Sequence, residues 1–418
     1  MRSRILRNFL LSALFALLAV AGFAQSITTS PGGQIGNFSA TYGANNVAPK
    51  TFTFTGSGFA PAQNVEVFAS AEFEVSPTLG GPYSSSFVLP ANGSGNFTST
   101  SVFVRMVDNT VPGTYSSRFV GFRLVGSPTN ITTKVIATTI ITPIVIDIIN
   151  IDIPSKVYDG SNAATISNSG GPISLGAGVL AIDASAVTLV TSGATAVFDN
   201  PNVGSNKDIT ITGYTLSGPA SSNYILNQPS GYQSNITPKP LTVGGLSVAN
   251  KAYDGTNVFT LSGTATLNGV EPGDVSNVSL AGSFTATSAN ASAETNKTIT
   301  TSNPGLTGTK ASNYTLTTPS FTADITQKAL TIAATAVNKV YGTTLTGGSG
   351  YSAFTATGIV GSENPGTVTV TYVAGAAGNE NVGVYNNAIQ LSSLTGGSGG
   401  FDANNYNINY TDASITVT

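Results

Sequence analysis

A set of landmarks returns along the chain at intervals of about 90 residues, and this period constrains the fold more than any other feature. Four Ile-Thr pairs, Ile141-Thr142, Ile236-Thr237, Ile325-Thr326 and Ile415-Thr416, are spaced 95, 89 and 90 residues apart. Each of the first three is followed 14 or 15 residues on by a Lys-x-Tyr motif: Lys156 to Gly160 (KVYDG), Lys251 to Gly255 (KAYDG) and Lys339 to Gly342 (KVYG). Near the end of each unit stands an Asn-Tyr pair, at Asn223-Tyr224, Asn313-Tyr314 and Asn405-Tyr406. The first and third units also share Asn-Val-Gly, at Asn202 to Gly204 and Asn381 to Gly383. Landmarks recurring in one order mark tandem modules. A period this long exceeds a solenoid turn and suits a small domain.

Within the units the apolar residues alternate. Phe52 and Phe54, Val65 and Val67, Val102, Val104 and Met106, Ile209 and Ile211, Val368, Val370 and Tyr372, and Ile415 and Val417 each fall on one face of an extended segment. Period two means strands with one face turned inward. Thr fills many of the outward positions, because its branched Cβ favours a strand and its hydroxyl is solvated. That explains how a chain with only 8% charged residues can still be 40% hydrophobic and fold. Gly, Asn, Pro and Asp clusters separate the runs, and no later segment has a helical period. The expected fold class is therefore all-β, with tandem Ig-like β-sandwich modules in a beads-on-a-string rod. A parallel β-helix would show rungs of roughly 20–25 residues, and only the long period is seen.

The first residues differ from the rest. Arg2, Arg4 and Arg7 precede an apolar run from Phe9 to Val20, and Gly22 and Ala24 are small residues before Gln25. This is the pattern of a secretory signal over residues 1–24. The apolar run is shorter than the ~20 residues a membrane span needs, and the mature chain has no other candidate span. Removing the three leader arginines takes the formal net charge from −3 to −6. No basic patch remains to neutralise phosphates, so nucleic acid is not an expected partner.

The chain has no Cys and no His, which excludes disulfides, thiol nucleophiles, imidazole acid–base chemistry and His or Cys metal sites. A glycosidase would need two carboxylates roughly 5–9.5 Å apart. Asp199, Glu271, Asp274, Glu363 and Asp402 are scattered at turns, and no Trp offers a sugar platform. No catalytic, cofactor-binding or metal-ligating residue is assigned, and no cofactor is expected. In the Lys-x-Tyr-Asp-Gly motif, the Tyr reads as a packed side chain. Asp159-Gly160 and Asp254-Gly255 read as hairpin or bulge turns. The competing reading is a calcium loop using Asp159 and Asn162, or Asp254 and Asn257. Calcium requires six to eight oxygens, and the third unit has no Asp after Tyr341. The Asn-Tyr pairs read as tyrosine corners, with the hydroxyl on nearby backbone at a strand start.

The motifs also carry a resemblance. The units with KVYDG and KAYDG resemble the YDG repeat domain of bacterial surface proteins and haemagglutinin-like adhesins. The first does so through Asn202-Val203-Gly204, Lys207, Asn223-Tyr224 and Ile236 to Thr242. The second does so through Gly273-Asp274-Val275, Lys297, Asn313-Tyr314 and Ile325 to Thr331, with Ala-Glu-Thr-Asn in place of Asn-Val-Gly. The third unit is similar to the related MBG domain of the Tyr-Gly type, through Lys339 to Gly342, Gly358-Ile359-Val360, Asn381 to Tyr385 and Asn405-Tyr406. Residues 25 to about 140 look like a bacterial Ig-like module. The expected domains are an Ig-like sandwich over 25–143, YDG-type repeats over 144–239 and 240–328, and an MBG-type repeat over 329–418.

The resemblance implies a non-enzymatic extracellular surface protein acting as a stalk or spacer in adhesion. The alternative is an adhesin whose N-terminal module contacts a glycan or protein of another cell or matrix. Candidate contacts there are Arg105, Arg118 and Arg123 and the loop Leu79 to Ser86, which contains Tyr83. Pro238 and Pro240 at the first repeat junction should restrict the joint and keep the rod semi-rigid. Because the chain stops two residues after the fourth Ile-Thr pair, it is expected to be the N-terminal piece of a longer repeat array.

Overall fold

The computed structural model describes residues 24–418, so all of the expected leader except Ala24 lies outside the described residues. Those residues are strands joined by turns and five short 3-10 turns, with no α-helix. The alternation sets the burial. Phe52, Phe54, Val65, Val67, Val102 and Val104 are all almost wholly buried, as are Val368, Ile415 and Val417 farther along. Thr55 and Thr51 lie exposed beside their buried neighbours.

The strands pack into two compact units. The first comprises residues 24–154, 164–197 and 209–232; the second comprises residues 155–163, 198–208 and 233–418. The division runs through the first repeat and does not follow the sequence period.

In the first unit, the N-terminal module has two antiparallel four-stranded sheets. One orders Ser26–Ser30, Lys50–Ser57, Phe97–Met106 and Phe73–Ser76; the other orders Asn130–Ile136, Arg118–Leu124, Asn64–Ala69 and Ser86–Pro90. Their inward residues form one buried cluster, in which Phe54 lies 4.9 Å from the Phe122 ring and 5.7 Å from the Phe97 ring. A smaller sheet sets Ser39–Thr41 parallel to Thr139–Thr142.

The second unit holds two repeats of one plan. In the repeat after Ile236-Thr237, the strand Lys239–Val248 pairs in parallel with Tyr314–Thr317, with Lys239 opposite Tyr314. In the next, Lys328–Ala334 pairs in parallel with Tyr406–Thr411, with Lys328 opposite Tyr406. The first unit contains the same pairing between Ile144–Ile146 and Tyr224–Leu226, with Ile144 opposite Tyr224. Each repeat of the second unit adds a five-stranded sheet, whose first strand carries the Lys-x-Tyr motif and runs parallel to the closing strand.

That register corrects two expectations. Lys156 stands opposite Ile236 and Lys251 opposite Ile325, but Lys339 stands opposite Val417. The closing landmark of the last unit is therefore Val417-Thr418, two residues beyond Ile415-Thr416. Because side chains alternate with period two, Ile415 and Val417 share the buried face, and the composition of the run alone could not choose between them. Second, the Lys-x-Tyr strand is not an arm of a hairpin. Its partner is the last strand of its own module, about 80 residues later for Lys156 and Ile236.

The inner and outer faces should respond differently to substitution. Phe54→Ala should cost about 3–5 kcal/mol, and Thr55→Ala should stay within about 0.5 kcal/mol, both measured by urea unfolding.

Candidate functional site

The repeated tyrosines meet at joints between consecutive modules, and three such joints have one geometry. In each, a short turn of the later module presents a carboxylate: Asp183 after Leu180 and Asp274 after Glu271 on 3-10 turns, and Glu363 after Val360 on a turn closed by the Glu363 N–H to the Val360 carbonyl. The tyrosine of the Asn-Tyr pair follows 40 to 43 residues on. Its hydroxyl accepts the N–H at the start of that turn, from Leu180 to Tyr224 (3.0 Å), Glu271 to Tyr314 (3.1 Å) and Val360 to Tyr406 (3.0 Å). The same hydroxyl donates to the carboxylate, Tyr224 to Asp183 (2.8 Å), Tyr314 to Asp274 (2.7 Å) and Tyr406 to Glu363.

The second tyrosine comes from the preceding module. Tyr158 of KVYDG donates to Asp274 Oδ2 at 2.7 Å, and Tyr253 of KAYDG donates to Glu363. The paired rings meet nearly edge-on, at 5.3 Å for Tyr158 and Tyr314 and 5.5 Å for Tyr253 and Tyr406. In the first unit, Tyr42 takes this place, 5.9 Å from the Tyr224 ring and also edge-on. All six tyrosines are buried.

The buried asparagine of each Asn-Tyr pair completes two of the joints. Asn313 Oδ1 accepts the N–H of Val203 at 2.9 Å, and Asn405 Oδ1 accepts that of Ala293 at 2.8 Å. Val203 and Ala293 are equivalent positions, each four residues before an ion-paired lysine, Lys207 or Lys297. A glycine gives the turn room to dock. Gly43, Gly160 and Gly255 have φ of +79°, +78° and +80°, and face Leu180, Glu271 and Val360 respectively. A Cβ on Gly43 would lie 2.5 Å from Leu180 Cδ1, and one on Gly255 would lie 2.8 Å from Val360 Cγ1.

The Asn-Tyr pairs are thus not tyrosine corners on nearby backbone. Their hydroxyls cross to a turn some 40 residues upstream and carry a bond to the next partner. The acids Asp274 and Glu363, scattered in the sequence, are brought to equivalent places. Glu271 pairs instead with Lys239, Asp199 with Lys207, and Asp402 caps the turn before Asn405 through the Asn404 N–H. Tyr42-Gly43 and Asp183 escaped the sequence reading. The signal that finds Tyr42 is its N–H bond to the Thr142 carbonyl, matching Tyr158 to Thr237 and Tyr253 to Thr326.

Behind the tyrosine, lysine organises the Asp-Gly turn. Lys156 Nζ donates to Asp159 Oδ1 (2.7 Å), Ser161 O and Oγ, and Ala163 O. Lys251 repeats the set on Asp254, Thr256 O and Oγ1, and Val258 O. The ammonium takes the Asp159 or Asp254 oxygen of the calcium reading, whereas Asn162 and Asn257 donate through Nδ2 to the Phe198 and Ser288 carbonyls. Burial pushes the Asp159 carboxyl up, but Lys156 and the Ser161 N–H and hydroxyl outweigh it and hold the pKa below the usual range.

The arginines of the N-terminal module are engaged with acids across strands. Arg105 pairs with Glu74 (2.8 Å), Arg118 with Glu72 (2.6 Å) and Arg123 with Glu66 (2.7 Å). Arg123 holds Glu66 below the usual carboxylate range. Tyr83 of the Leu79 to Ser86 loop lies under the Arg105 guanidinium, 4.5 Å from it. The loop and the three arginines do not form one patch of free positive charge. Among the described residues, no group of three or more acids could hold a metal ion.

Residues 142–231 and 237–321 match the YDG domain. The chain carries two tandem YDG domains. No curated protein matches it. Among solved structures, it is similar to the cupredoxin domain of amoB from Nitrosocaldus yellowstonii, with 13% identity over 28% of this chain and 84% of that one and a TM-score of 0.17. It is also similar to the Bacillus anthracis TIE protein, with 8% identity over 94% of this chain and 74% of that one and a TM-score of 0.22. Set on the YDG domains, Tyr158 is the motif Tyr of the first and Tyr314 the Asn-Tyr Tyr of the second.

The joints should be sensitive to alkali. Burial, then the neighbouring carboxylate, pushes Tyr158 and Tyr253 up to about 12 from an ordinary 10.0. Burial likewise raises Tyr224 to about 12, and Tyr314 and Tyr406 rise for the same reasons. The folded chain therefore keeps phenol protons that the unfolded chain gives up above about pH 10. The stabilisation is complete below pH 10 and is lost as pH rises toward 12, so the melting temperature should hold level from about pH 7 to 9 and fall across that window. A second test is Lys251→Met, which should cost about 1–2 kcal/mol in urea unfolding by stripping four bonds from one turn.

Proposed function

We propose that this chain is a secreted, non-enzymatic surface protein that works as a stalk or spacer in cell-surface adhesion. In this reading, residues 25–143 form an Ig-like sandwich and residues 329–418 an MBG-type repeat flanking the two YDG domains. The observation that carries it is the joint found three times with the same turn and edge-on tyrosine pair, and twice with the same bonds between modules. A spacer must hold one module in a fixed direction on the next. A buried hydrogen-bonded node does this when the covalent link is short, and only Pro238 or Gln327 separates the closing strand of one module from the opening strand of the next.

The chemistry of the chain supports the same reading. Its repeated polar residues are spent on turns and joints, and its N-terminal arginines on cross-strand pairs, as a structural spacer would use them. Extracellular placement rests on the leader sequence and on the resemblance of the repeats.

Small-angle scattering on the mature chain tests the spacer role. Modules each adding roughly 25 Å should give a maximum dimension of about 100 Å or more, whereas a radius of gyration near ~21 Å, that of a single compact globule of this length, would overturn it. Binding to a glycan or matrix-protein array that is lost in Arg105→Ala and Arg118→Ala would instead favour the N-terminal contact role.

A further inference from the structure

The last repeat carries the donating half of a fourth joint. Tyr341 occupies the place of Tyr158 and Tyr253: its N–H bonds to the Thr418 carbonyl at 2.9 Å, as theirs bond to Thr237 and Thr326. Yet Tyr158 is 2% exposed and Tyr253 5%, while Tyr341 is 58% exposed, with no partner for its hydroxyl among the described residues. Val382, in Asn-Val-Gly, matches Val203, whose N–H donates to Asn313 Oδ1; Val382 is 70% exposed. Gly342 has φ +90° like its equivalents, but a Cβ there would meet nothing within 4 Å, where Gly43, Gly160 and Gly255 face the incoming turn.

We infer that the face built by Tyr341, Gly342 and Val382 is a docking surface for a repeat module that presents a carboxylate turn and an Asn-Tyr pair. The occupant follows from the two equivalent faces in the same unit, each filled by such a module. The missing Asp after Tyr341 is no obstacle. Tyr42-Gly43 also lacks it, and Tyr42 packs against Tyr224 and beside Asp183, which helps to raise its pKa after burial. A second copy of this chain does not fit the face, because the place of an incoming tyrosine beside Asp183, Asp274 and Glu363 is already taken by Tyr42, Tyr158 and Tyr253.

The test appends a second copy of residues 327–418 directly after Thr418 of the full chain, which reproduces the spacing of Thr326 to Gln327. A parallel fusion appends residues 238–327, whose turn carries Asp274. Tetranitromethane nitration, read by mass spectrometry, reports each tyrosine. In the chain alone, Tyr341 should react readily and Tyr253 should be protected. In either fusion, Tyr341 nitration should fall at least about tenfold, toward the rate of Tyr253, and the Val382 amide should gain protection from hydrogen exchange. Replacing the appended copy's own acceptor, by Glu363→Ala in that copy alone, should restore Tyr341 reactivity. If Tyr341 stays reactive in both fusions, whether or not the appended module is folded, the proposal is overturned, because a competent face would hold the module as Tyr253 holds residues 327–418. A concentration-dependent dimer of the unmodified chain that disappears in Tyr341→Ala would assign the face to a second copy and also overturn it.

Discussion

The hydrogen bonds from two tyrosines to one carboxylate are the interaction on which the modular architecture rests. Asp274 Oδ2 receives Tyr158 and Tyr314, both at 2.7 Å, in a buried position. A buried carboxylate is costly unless its oxygens are bonded, and here one of the two donors belongs to the neighbouring module. Docking and acid satisfaction are thereby the same event. The edge-on rings add apolar contact around the bond and keep water out. The Glu271 N–H fixes the hydroxyl of Tyr314 so that its proton points to the acid.

Around these nodes, the chain uses its few cations as internal ties. Lys156 and Lys251 each gather the oxygens of an Asp-Gly turn. Lys134, buried in the N-terminal module, bonds to the carbonyls of Pro31 and Gly33. Lys339 takes the carbonyls of Thr343 and Ala377, in a turn that has no Asp. The third repeat thus keeps the lysine and changes its acceptors, which is why KVYG and KVYDG can present their tyrosine in the same way. The low charge of the chain follows from this economy: charged groups hold turns and strand pairs, and Thr covers the outer faces.

The strands and the repeat were legible because burial with period two is written in adjacent residues. Phe52 and Phe54, or Val368 and Val370, announce their own face. The joints were only half legible. Tyr158, Tyr253 and the Asn-Tyr pairs stood out by recurrence, but the acceptors of Tyr158 and Tyr253 are 110 or more residues away in a different module. Those acceptors also vary, as Asp183 in Ala-Ile-Asp, Asp274 in Pro-Gly-Asp and Glu363 in Gly-Ser-Glu. Only their spacing of 40 to 43 residues before the tyrosine of the Asn-Tyr pair is kept. Tyr42 was hidden because its motif has neither the lysine nor the aspartate. The offset of Val417-Thr418 was hidden because a two-residue shift leaves the buried face unchanged.

The central claim is that Tyr158 and Asp274 are energetically coupled across a module boundary. A double-mutant cycle on Tyr158→Phe and Asp274→Asn, read by urea unfolding of the full chain, measures that coupling directly. Coupling of about 1–3 kcal/mol is expected for a buried hydrogen bond to a carboxyl group. Losses that simply add, with coupling below about 0.3 kcal/mol, would contradict the account.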